Sequence, residues 1–190
     1  MALTGASGAI YGVRLIEALN ERGINVHLVI SKAAEINLRL EMNLNPAEVT
    51  KMAQHVYASE DMAAPIASGS FPIDGMIIVP CSTKTLAAVA NGLSLNLISR
   101  AAEVSLKERK PLVLVPRETP LNQIHLQNML TLARAGAIII PASPGFYHRP
   151  KSIEQLVDHI VGKVLDVFAI QHDLFTRWHG PPSTSNNEPA

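Results

Sequence analysis

Thr4-Gly5-Ala6-Ser7-Gly8-Ala9-Ile10-Tyr11-Gly12 (TGASGAIYG) stands directly behind the apolar opening Met1-Ala2-Leu3 and opens a helical pattern, Ala9–Arg22. Small residues at such a junction let the backbone approach a ligand closely. The free amides of the helix start favour an anion or an electron-rich ring. A tight strand-to-helix turn would use the same residues, so the loop fixes the first strand–loop–helix unit without fixing a function. Only Met1–Thr4 precede its first glycine, and the first strand is therefore expected to be clipped by several residues.

The same alternation continues outward. Val26–Ile30, Gly75–Val79, Leu112–Val115 and Ala137–Ile140 are short, nearly uninterrupted apolar runs, as expected of strands buried on both faces. Helix patterns lie between them at Lys32–Glu41, Pro46–His55, Thr83–Gly92, Leu97–Arg109 and Leu121–Ala135. Ser152–Phe168 follows with apolar residues at helical spacing. This order predicts an α/β fold: one open parallel sheet with helices on both faces, a single domain over residues 1–180. Pro181–Ala190 (PPSTSNNEPA) reads as an unstructured tail.

Composition narrows the function classes. Of 190 residues 47% are hydrophobic, which excludes disorder for most of the length. Only 17% are charged, against about 25% in an ordinary soluble domain, so part of the surface is expected to be covered by other subunits. The net charge is zero and no basic block extends beyond Lys107–Lys110, which gives general nucleic-acid binding no electrostatic footprint. One cysteine excludes an internal disulfide framework and suits a reducing compartment. Stretches without Asp, Glu, Lys or Arg, such as Thr85–Ser99 and Ala135–His148, fall short of the roughly 18 residues of a membrane span. No charged segment followed by an apolar run marks a leader. The expectation is a soluble, cytoplasmic homo-oligomer.

Open parallel sheets bind ligands beyond the carboxyl ends of their strands. Those ends are Thr4–Gly8, Ser31–Lys32, Pro80–Thr85, Pro116–Glu118 and Pro141–Tyr147, each rich in Ser, Thr, Pro, Gly or charge. Tyr147 and Lys151 have the Tyr-x-x-x-Lys spacing of short-chain dehydrogenases, but that pair needs a continuous helix and Pro150 interrupts it. Ser31-Lys32 also stands where a dinucleotide site would want an acid. The seven histidines show no metal-ligand spacing, and Cys81 has no partner cysteine. Small-residue packing is the better reading of Cys81 than a nucleophile. Arg100, Lys107, Arg117, Arg149 and Lys163 are candidates for a phosphate-rich pocket, although Lys107 could equally be a solvated helix end. Glu41 and Glu118 are the acid/base candidates beside the cleft segments.

With these residues gathered, the chain resembles the flavin prenyltransferases of the UbiX type, within the flavin-binding cysteine-decarboxylase superfamily. The resemblance runs from Leu3 to about Trp178. It rests on TGASGAIYG (4–12), SKAA (31–34), Glu41, ASGS (67–70), PCSTKTLA (80–87), RAAEVSLKERKPLVLVPRETP (100–120) and PASPGFYHRP (141–150). It implies a Rossmann-like fold assembled into dodecamers, with FMN at subunit junctions. It implies transfer of a dimethylallyl group from dimethylallyl monophosphate to reduced FMN, first at N5 and then at C6. The prenylated FMN would serve a UbiD-type decarboxylase.

By position, the resemblance implies that Gly5, Ala6, Ser7, Ser31, Ser82, Thr83, Lys84, Thr85 and Arg117 line the FMN. Arg100, Lys107, Glu118, Tyr147 and Lys163 would surround the prenyl phosphate, with Trp178 covering the allylic chain. Glu41 would handle a flavin proton, and Glu118, acting through Ser7, would protonate the leaving phosphate. No Asp-Asp-x-x-Asp run is present, so ligands for a magnesium diphosphate strategy are missing and metal-independent transfer is expected. Preorganised cations can stabilise the leaving phosphate and an aromatic face the allylic cation. Position 163 is Lys where the family commonly has Arg, which keeps the charge and gives up the bidentate fork. Two rivals are a flavin-dependent decarboxylase of the same superfamily and a flavin-storage module without turnover. The first carries an Asn- and Met-containing clamp where this chain reads Pro116-Arg117-Glu118-Thr119-Pro120. The second gives no reason for Glu41, Lys107, Tyr147 and Lys163 to occur together.

Overall fold

In the computed structural model, residues 1–178 and Gly180 are described. The expected unstructured tail, 181–190, lies outside them. Six parallel strands form one sheet in the order β3-β2-β1-β4-β5-β6. They are β1 (Ala2–Leu3), β2 (His27–Ile30), β3 (His55–Tyr57), β4 (Met76–Cys81), β5 (Leu112–Pro116) and β6 (Ile138–Ile139). The helices are α1 (Ala9–Asn20), α2 (Lys32–Met42), α3 (Pro46–Thr50), α4 (Thr83–Ala90), α5 (Leu97–Lys107), α6 (Gln123–Arg134) and α7 (Ile153–Val167), with a short 3-10 turn at Pro65–Ala67. The expected open parallel sheet is the one found, and strand order reverses between β1 and β4, the switch point where such sheets bind ligands.

Alternation within the strands sorts the core into two layers. Leu3, Ile77, Val79, Val113 and Val115 pack on one face with α1, α2 and α7. Ala2, Met76, Ile78, Leu112 and Leu114 pack on the other with α4 and α5. Every residue of β4 and β5 is buried, which explains their unbroken apolar sequences. β1 is two residues long, pairing Ala2 with Val29 and Ile78 and Leu3 with Ile30. No helix among the described residues is long and apolar enough to cross a membrane.

One expected element is corrected. The helix predicted over Pro46–His55 stops at Thr50, and His55–Tyr57 forms the edge strand β3. Asn45 and Glu48 close a capping box around Pro46, so the helix starts where its sequence says. Its end is set from outside: His55, Val56 and Tyr57 pair with His27, Leu28 and Val29. The His27 and His55 rings stack at 4.3 Å. A long-range partner decides a three-residue strand that periodicity cannot reveal.

A cavity of about 490 Å³ lies between Val26–His27 and Gly75–Ile77, with Met1 on its wall. It opens at the amino ends of the strands, opposite the switch point, and is lined mainly by apolar residues.

Candidate active site

Because α1, α2 and α4 each start one short loop after β1, β2 and β4, three helix N-termini converge on the carboxyl edge of the sheet. Ser31 caps α2 by accepting from Ala34 N–H at 3.2 Å. Ser82 caps α4 by accepting from Thr85 N–H at 3.3 Å and donates to Thr85 Oγ1 at 3.0 Å. The buried Thr4 hydroxyl donates to the Pro80 carbonyl at 2.8 Å and accepts from Ser82 N–H at 2.7 Å, tying the two strand ends together.

α1 is capped differently. Its N-cap is Gly8, at φ 106°, which has no side chain to offer. Glu41, from the last turn of α2, supplies the acceptor: its Oε2 takes Gly8 N–H at 2.8 Å and Ala9 N–H at 2.9 Å. Two charge-assisted bonds at the positive end of a helix hold that carboxylate in one place. One turn earlier, Asn37 Nδ2 donates to the Ala6 carbonyl at 2.9 Å. From the other side, Arg117 Nε donates to the Ser7 carbonyl at 3.2 Å. The loop is thus clamped by α2 and by the end of β5, with Gly5 and Ser7 exposed. Asn37 is absent from the sequence-derived set, yet its signal is the four-residue spacing from Glu41, which puts both on one helix face.

Gly5, Ala6, Ser7, Ser31, Ser82, Thr83, Lys84, Thr85, Arg117 and Glu118 all belong to these converging strand ends and helix starts, and Glu41 reaches them from the C-terminal turn of α2. The Glu118–Ser7 relay is not made directly among the described residues: Glu118 Oε1 accepts from Thr119 N–H at 3.0 Å, and Arg117 is the residue that reaches Ser7.

The remaining candidates form two other groups. Arg100 and Lys107 are two turns apart on α5; Arg100 Nε donates to the Ala67 carbonyl at 3.2 Å, and its Nη1 pairs with Glu103 at 3.2 Å. Lys107 pairs with Glu108, and both lie against Gly69. Tyr147 meets Trp178 edge-on at 6.0 Å. Lys163 Nζ lies 3.6 Å from Asp166, whose carboxyl is held below its usual range first by the Arg177 guanidinium and also by His172. One chain therefore presents a clamped loop, an Arg–Lys face and an aromatic corner as separate surfaces.

Cys81 is fully buried at the end of β4, and burial pushes its thiol up to about 12, against a smaller opposing effect of a backbone hydrogen bond. A thiolate nucleophile is disfavoured there. The expected result is that a thiol reagent at neutral pH leaves native protein unlabelled and modifies one thiol after denaturation, read by intact mass. Rapid native labelling would contradict this burial.

The residues fit FMN. Gly5 faces solvent and a Cβ there would stand 2.5 Å from that of Ala33, so backbone rather than side chain borders the cradle. The hydroxyls of Ser7, Ser31, Ser82, Thr83 and Thr85 and the cations of Lys84 and Arg117 are of the chemistry that a phosphate and a polar ring require. The Flavoprotein family matches residues 1–174. Flavin prenyltransferase UbiX of Methanothermobacter thermautotrophicus is 51% identical over 180 residues, covering 95% of this chain and 94% of that protein. A crystal structure of AnUbiX (PadA1) in complex with FMN and dimethylallyl pyrophosphate is 51% identical with a TM-score of 0.93, covering 94% of this chain and 95% of its own. A dodecameric FMN-dependent UbiX-like decarboxylase from Escherichia coli O157:H7 is 46% identical, with a TM-score of 0.92 and coverage of 94% and 97%. The chain belongs to the Flavoprotein family and, within it, to the UbiX-type flavin prenyltransferases.

Proposed function

We propose that this protein transfers a dimethylallyl group from dimethylallyl monophosphate to reduced FMN, without metal, and that the prenylated FMN is released to a UbiD-type decarboxylase. The observation that carries the reading is Glu41 fixed on the amides of Gly8 and Ala9 while Arg117 holds Ser7. These contacts preorganise a carboxylate and the glycine loop on rigid elements at the switch point. When bound, reduced FMN supplies the electron-rich nucleophile.

The chain supplies the rest. Arg117 orients the loop, and Glu41 holds or accepts a proton beside it. Arg100, Lys107, Lys163 and Tyr147 bind the donor phosphate, which departs with the electron pair of the allylic C–O bond, and Glu118 delivers a proton to it. Trp178 offers an aromatic face to the allylic carbons. The three surfaces meet when copies of the chain assemble, and we read the assembly as a dodecamer. α6 supports this: of its side chains only Leu132 is buried, while Ile124, Leu126 and Leu130 are exposed. The single cysteine suits a reducing cytoplasm.

The test is phosphate release. Protein, chemically reduced FMN and dimethylallyl monophosphate, incubated anaerobically with a chelator, should release inorganic phosphate in proportion to FMN, and none with oxidised FMN. A flavin-storage protein or a decarboxylase would release none in either case.

A further inference from the structure

His159 belongs to no motif of the resemblance, yet it lies against the aromatic corner. It sits on α7, 8% exposed, with its ring between the loop that carries Tyr147 and the Phe175 ring. One contact and the surroundings of the ring determine its protonation. Gly145 N–H, which can only donate, points at His159 Nδ1 at 3.2 Å, so Nδ1 carries the lone pair. Burial, then His148 and Lys163, hold the imidazole below its ordinary range, which keeps it neutral at neutral pH. The single ring proton is therefore on Nε2, which faces the Tyr147 hydroxyl at 3.3 Å.

We propose that His159 is a positioning residue that turns Tyr147 into an outward donor for the prenyl phosphate. Nε2–H donates to Tyr147 Oη, so the phenolic O–H cannot be spent on the imidazole and is available to an anionic oxygen. Accepting one bond also strengthens the bond that the hydroxyl donates. The ring stack of His148 on His159, 5.2 Å apart and 13° from parallel, fixes the imidazole plane. The inference rests on the donor-binding role read for Tyr147 above.

The groups facing this imidazole are His148 and Tyr147 from the preceding loop and Lys163 from α7, with Arg177 bearing on Tyr147 from the C-terminal segment. Protonation would put a second N–H against that of Gly145, donor against donor, and displace the ring. In the wild type, the KM for dimethylallyl monophosphate should therefore rise more steeply with falling pH than titration of the donor phosphate explains.

The experiment compares His159→Phe, His159→Gln, Tyr147→Phe and the His159→Phe/Tyr147→Phe double variant, with donor KM, kcat and FMN affinity read separately. His159→Phe should raise donor KM roughly three- to tenfold, the range of one hydrogen bond, with FMN affinity unchanged. Its pH profile should reduce to that of the donor alone. His159→Gln, whose amide can accept from Gly145 and donate to Tyr147, should recover most of the loss. The double variant should be no worse than Tyr147→Phe. If Tyr147→Phe raises donor KM while His159→Phe leaves KM and pH profile unchanged, the inference is wrong and the donor site stands. If Tyr147→Phe itself leaves donor KM unchanged, the donor-site reading fails and the inference with it. Additive losses in the double variant, or a parallel loss of FMN affinity, would assign His159 a packing role only.

Discussion

Glu41→Gln should retain FMN binding and lose prenyl transfer by about two to four orders of magnitude, the usual contribution of a positioned acid/base group. Gln is isosteric and keeps a carbonyl oxygen that can accept from Gly8 and Ala9, so the loop and α1 should survive the change. What disappears is the carboxylate proposed to take or return a proton. Glu41→Ala separates the two roles: it removes the acceptor as well and should cost about 0.5–2 kcal/mol of stability, as for a lost helix cap. Anaerobic single-turnover kinetics with parallel thermal melts would distinguish the variants. Equal turnover by wild type and Glu41→Gln would exclude proton handling by Glu41.

Gly12 carries the second large effect, on the fold. α1 crosses β4 so closely that a Cβ at position 12 would stand 2.7 Å from the Val79 carbonyl oxygen and 2.8 Å from Leu3 Cγ. Both neighbours are buried in the sheet and cannot swing away. Helix propensity alone predicts that Gly12→Ala gains roughly 1 kcal/mol. Overpacking costs roughly 1–3 kcal/mol, and because one contact is with main chain we expect it to win. Gly12→Ala should thus lower the melting midpoint, and Gly12→Val should lower it further and weaken FMN binding, because α1 carries the glycine loop with it. Melts at fixed protein and flavin concentration give the sign. A raised midpoint for Gly12→Ala would mean that helix and sheet are less tightly packed than the geometry states.

These two positions also show what the sequence discloses. TGASGAIYG, read beside unbroken apolar runs such as Leu112–Val115, was enough to place a parallel sheet and its ligand edge, because burial on both faces leaves a compositional mark. β3 left none: His55–Tyr57 is a strand only because His27–Val29 is beside it. Within the site, Ser31 and Ser82 stand out in the sequence as hydroxyl residues at strand ends, and the structure adds that they cap α2 and α4. That Glu41 caps another helix was not, since it joins residues 33 apart. The same holds for Arg117 on Ser7 and for His159, whose role depends on which of its nitrogens faces Gly145. Arg100, Lys107 and Lys163 were visible as cations near cleft segments, but their separation into distinct surfaces is a property of the packed chain.

The most direct measurement is the mass of the flavin itself. Purified protein is incubated anaerobically with reduced FMN, dimethylallyl monophosphate and a chelator, then denatured, and the released flavin is analysed by mass spectrometry. Prenyl transfer predicts FMN heavier by one C5H8 unit, at an amount matching the phosphate released. Unmodified FMN, recovered from protein shown to bind both FMN and the donor, would contradict it.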